Sequence, residues 1–104
     1  MRSLMIIGLF FLLPCTAVGQ QITFKCSLQN ADKGWRILVS NAGPGPRTCT
    51  ASCEALDKDG KSLQFGNCGP KAVRQGANDE LFCGNETASN NPLKNPKITA
   101  FSCN

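Results

Sequence analysis

The sequence predicts an all-β protein, a small disulfide-stabilised antiparallel β-sandwich. Three observations lead there. Apolar residues recur at every second position through several short runs, the period of a strand with one buried face. Turn signals punctuate those runs about every 8–12 residues. Beyond residue 19, no segment carries a convincing apolar series at i, i+3, i+4 and i+7, the signature of an amphipathic helix.

Export sets the compartment. Met1-Arg2-Ser3 is a short positive segment, and Leu4 to Leu13 is an unbroken apolar run. Such a run suits a secretory signal and is too short to span a bilayer. Pro14 ends it, and Ala17-Val18-Gly19 places small residues for cleavage before Gln20. Residues 1–19 therefore read as a signal peptide and 20–104 as a single secreted β-domain, extracellular or, in a bacterium, periplasmic. Lipidation at Cys15 is disfavoured because Pro14 does not suit the peptidase. No membrane span is expected in the mature form.

The 104 residues are 41% apolar, with no histidine and no tyrosine. Removing the signal lowers the apolar share to about 35%, and Leu, Ile, Val and Phe to about 18%, near the limit for a self-sufficient core. The net charge falls from +4 to +3 with Arg2. The same cut removes Cys15 and leaves Cys26, Cys49, Cys53, Cys68, Cys83 and Cys103. An even number of cysteines behind a signal peptide predicts three disulfides. A metal site is disfavoured: the closest pair is Cys49-x-x-x-Cys53, the rest are scattered, and no histidine completes a set. No C-x-x-C redox motif occurs.

The elements follow in order. Ile22, Phe24, Cys26 and Leu28 alternate with polar neighbours as a first strand, and Asn30 to Gly34 is turn-like. Trp35, Ile37 and Val39 give a second strand, with Trp35 expected in the core. Asn41 to Pro46 reads as a loop. From Arg47 to Leu56, Cys49, Ala51, Cys53 and Ala55 share one face, and Thr48, Thr50, Ser52 and Glu54 the other. Asp57-Lys58-Asp59-Gly60 is a hairpin turn with Gly60 at positive φ. Lys61 to Cys68 returns, with a bulge expected at Gly66. Gly69-Pro70 begins a turn, Ala72-Val73 forms a short strand, and Glu80 to Gly84 another. Gly84 to Pro96 is a long polar loop before a last strand, Lys97 to Cys103.

At the level of strand number and spacing, this pattern resembles an immunoglobulin-like domain; a Greek-key sandwich of other topology or a small barrel fits as well. Trp35 lies close behind Cys26, and a tyrosine corner is ruled out by composition. Six cysteines allow about 15 connectivities; the hairpin at Asp57–Gly60 and the bulge favour Cys53–Cys68.

Candidate chemistry is sparse. Asp57-x-Asp59-Gly60 fails as a calcium loop, because Gly66 stands where a bidentate Glu is needed. The mature acids Asp32, Glu54, Asp57, Asp59, Asp79, Glu80 and Glu86 lie mostly in turns, so a two-carboxylate catalytic pair is not expected. Serine or cysteine nucleophiles lack their usual histidine base. No catalytic residue, cofactor or metal ligand is assigned. Lys71, Arg74, Lys94 and Lys97 are expected to gather at one end, but no aromatic platform accompanies them and nucleic acid is not an expected partner. Thr48, Thr50 and Ser52 make a hydroxyl row, too narrow alone for a site. Asn85-Glu86-Thr87 is an N-glycosylation sequon in a polar loop.

The expectation is a non-enzymatic binding domain for an extracellular protein, glycan or envelope component. Its alternatives are an antimicrobial, toxin-like or host-directed effector, or an inhibitor of a secreted enzyme acting through a loop such as Gly43–Pro46. The loops expected to bind are Asn41–Arg47 and Glu86–Pro96.

Overall fold

A computed structural model describes residues 21–104. The expected signal segment, its cleavage point before Gln20 and Cys15 lie outside the described residues. Six strands form two antiparallel sheets: β1 (Ile22–Gln29), β2 (Gly34–Asn41), β3 (Arg47–Leu56), β4 (Ser62–Val73), β5 (Glu80–Asn85) and β6 (Lys94–Cys103). The first sheet has the order β1-β2-β5 and the second β4-β3-β6. No helix among the described residues is long and apolar enough to cross a membrane.

The alternating residues build the core. Ile22, Trp35, Ile37, Val39 and Phe82 of the first sheet cluster with Cys49, Ala51, Cys53 and Val73 of the second, joined by Ala77. Trp35 is 7% exposed and stacks on Phe65 of the other sheet at 5.7 Å. Three of the four core residues named from the second sheet are cysteine or alanine, so this side of the cluster offers little apolar area.

Disulfides join what the thin core leaves weakly held. Cys26–Cys53 ties β1 to β3, and Cys68–Cys83 ties β4 to β5, so both bridges link the two sheets. Cys49–Cys103 joins directly opposed residues of β3 and β6 within the second sheet. The expected Cys53–Cys68 pairing is therefore overturned. The Asp57 turn closes with Asp57 N donating to Lys61 O at 2.8 Å, which sets Cys53 opposite Phe65. One extra residue, Asn67, carries Cys68 only as far as Ala51. Cys53, completely buried, is bonded across to the other sheet instead.

The Gly69-Pro70 turn is also corrected: β4 runs through it, absorbing the separate strand expected at Ala72-Val73. β4 is an edge strand, where a proline without an N–H is tolerated. Gly69 has φ +99°, and a Cβ there would lie 2.4 Å from the Cys49 carbonyl oxygen, so only glycine lets the strands approach.

Both long loops are tethered. Asn41 is fully buried; its Nδ2 donates to the carbonyls of Gly45 and Val73, and its Oδ1 accepts from Gly43 N. At the other end of β2, Asn30, Ala31 and Asp32 run through consecutive left-handed conformations, φ 55°, 56° and 66°. Lys33 O accepts from Ala88 N and Ser89 N, and Asp32 O from Leu93 N. Leu93 is buried, which anchors the segment expected to be a long polar loop, and β6 begins at Lys94 rather than Lys97.

Candidate functional site

The outer face of the second sheet carries the hydroxyl row, and the neighbouring strand completes it. β3 is the central strand, and its burial alternates strictly from Cys49 to Ala55. Thr48, Thr50, Ser52 and Glu54 occupy the opposite face. Register sets Ser102 of β6 opposite Thr50 and Ala100 opposite Ser52. Thr50 and Ser102 share a hydroxyl–hydroxyl hydrogen bond of 3.1 Å, and Ser52 and Thr99 one of 3.0 Å.

Thr99 reaches Ser52 because β6 carries an extra residue there: Ser52 pairs with Ala100, but Cys53 pairs with Ile98. On the other side of β3, Asn67 is an extra residue of β4 at this level. Two bulges thus flank Ser52 at one level. Bulges bend a strand and increase its local twist. At this level the sheet carries an open groove of about 470 Å³. Thr50, Ser52, Ala100 and Ser102 line it with Asn67 and Phe101, and every lining residue is uncharged. Phe101 is 52% exposed, its ring tilted against Phe24 at 5.2 Å.

Each hydroxyl offers one donor and two acceptor lone pairs. A mutual bond consumes one donor and one acceptor per pair, so each pair keeps a donor and three acceptor positions for a ligand. The β6 half of this surface escaped the sequence reading. The alternation of Ala100 and Ser102 was visible, but their adjacency to β3 depends on a non-local pairing.

Farther along the same face, Glu54 accepts from Lys97, Ser62 and Gln64. These contacts, Lys97 foremost, hold its carboxyl below the usual carboxylate range. Its folded state is therefore favoured at neutral pH, and that contribution fades as pH falls through the lowered pKa.

The remaining acids are dispersed. Asp79 pairs with Lys25 at 3.2 Å and Glu80 with Arg74. Asp57 Oδ1 accepts from Asp59 N and Lys61 N, and so stabilises the hairpin turn. Among the described residues, no three His, Cys, Asp or Glu side chains are grouped to hold a metal ion. The expected gathering of basic residues is corrected. Lys71 lies opposite Cys49 near one end of β3, whereas Lys94 and Lys97 lie opposite Leu56 and Glu54 at the other. Lys71 is also engaged, its Nζ donating to Phe82 O above the Phe82 ring. Asn85 is exposed at the end of β5, with its Oδ1 accepting from Thr87 N at 2.9 Å.

Fold and site together define an all-β domain with three disulfides and a polar groove on one sheet. The chain matches no protein family, and no curated protein or solved structure matches it significantly.

Proposed function

We propose that this is a secreted, non-enzymatic binding domain that holds its ligand in the groove over β3 and β6. One observation carries the reading: two bulges at a single level accompany a concave, uncharged, hydrogen-bonding surface on a disulfide-braced sheet. Rigid elements position binding groups better than loops do. The two loops first favoured are fastened by buried Asn41 and Leu93, which supports a structural role for them. The engagement of Glu54, Asp79 and Glu80 in ion pairs favours binding over acid–base catalysis. Several disulfides favour an oxidising, extracytoplasmic compartment.

The same reading takes the two sheets as a β-sandwich with immunoglobulin-like connectivity. Orders β1-β2-β5 and β4-β3-β6 correspond to strands A-B-E and C′-C-F, with the D and G positions unfilled.

The test is affinity capture from the protein's native extracellular milieu, with wild-type protein and Ala100→Arg as paired baits. Ala100 is exposed in the groove, so the substitution fills it without touching the core. Wild-type protein should retain a specific component at least about tenfold better than the variant, a difference of about 1.4 kcal/mol. Equal retention by both, or none by the wild type, overturns the reading.

A further inference from the structure

We propose that the groove takes a neutral oligosaccharide; the inference rests on the binding role proposed above. Charge is the first argument. The chain carries 11 Lys and Arg against 7 Asp and Glu, yet no ionisable group lines the groove. The nearest cation along β6, Lys97, is paired with Glu54 at 3.2 Å. An anionic ligand would leave its charge without a partner there, a poor exchange for hydration by water.

Hydrogen bonding is the second. Thr50, Ser52 and Ser102 present hydroxyl donors and acceptors side by side in the groove, with Asn67 beside them and Thr99 bonded to Ser52 just outside it. Sugar hydroxyls are themselves donors and acceptors, so each contact can form in either direction. An apolar ligand would strip water from these groups and return nothing. An extended peptide would satisfy its backbone at a strand edge, not on a hydroxyl face.

Size and shape are the third. The volume, about 470 Å³, falls within the range of about 300–1,000 Å³ for ligand sites. The groove is open, so it suits a stretch of a chain that continues beyond it.

The probes are cellohexaose, mannohexaose and chitohexaose, with a heparin hexasaccharide as the anionic comparator. Each is titrated calorimetrically into the oxidised protein at physiological salt. At least one neutral hexasaccharide should saturate with a Kd below about 1 mM. Ala100→Arg should weaken it at least about tenfold, and Thr50→Val combined with Ser102→Ala about fivefold. Leu81→Ser, an exposed position outside the groove, should leave it unchanged. Circular dichroism of each variant establishes that it is folded. Saturation by none of the neutral probes, by heparin alone, or undiminished by Ala100→Arg overturns the proposal. If the sugars fail while Ala100→Arg still abolishes capture from the native milieu, the saccharide falls and the groove remains the binding site.

Discussion

Complete reduction of the three disulfides should unfold the protein at room temperature. A described domain of this length has a stability of about 4–13 kcal/mol, at about 0.05–0.15 kcal/mol per residue. Each bridge contributes about 2–4 kcal/mol by restricting the unfolded chain. The bridges close separations of 27, 54 and 15 residues, so none is a trivially short loop. Two of them cross-link the sheets. The core that would have to replace them draws only on Cys49, Ala51, Cys53 and Val73 among the buried residues of the second sheet, a small apolar area. Near-UV circular dichroism under a thiol reductant should show loss of the Trp35 and Phe environments in a single transition. Retention of the native signal with similar stability would contradict this view of the fold.

Phe82→Ala should be the most damaging single substitution in the core, destabilising by about 3–5 kcal/mol. Phe82 is 1% exposed and meets Phe24 edge to face at 5.3 Å, while Lys71 sits over its ring. Its neighbour supplies the control. Leu81 is 64% exposed, and Leu81→Ser should change stability by no more than about 0.5 kcal/mol. The contrast arises from a bulge: Ile37 pairs with Cys83 and Leu38 with Leu81, leaving Phe82 as the extra residue, turned into the core. Chemical denaturation of both variants measures the pair. Comparable losses would mean that β5 is not bulged at this position.

That bulge also marks the boundary of what the sequence makes legible. The all-β class, the strands beginning at Ile22 and Trp35, the turn at Asp57–Gly60 and the two faces of β3 follow from local alternation and turn chemistry. They involve neighbours in sequence. The Cys53–Cys68 expectation failed because pairing across a hairpin shifts with every inserted residue, and Asn67 left Cys68 opposite Ala51. The Gly69-Pro70 break failed because an edge position relieves the proline of its hydrogen-bonding duty. For the groove, Thr50 and Ser52 were visible as a row, but half a site. Ser102 and Thr99 join them only through the β3–β6 pairing, some fifty positions apart, a contact that no local period encodes.

The sheet-to-sheet bridges position the core, both flanks of β3 and therefore the groove, so the disulfide map is the most direct test. Tryptic digestion of the unreduced protein separates the possibilities by mass. Cleavage after Lys and Arg places Cys68 alone in 62–71, Cys83 alone in 75–94, and Cys49 with Cys53 in 48–58. One species should join 62–71 to 75–94, and a second should join 48–58 to the peptides that carry Cys26 and Cys103. A species joining 62–71 to 48–58 would contradict this pairing.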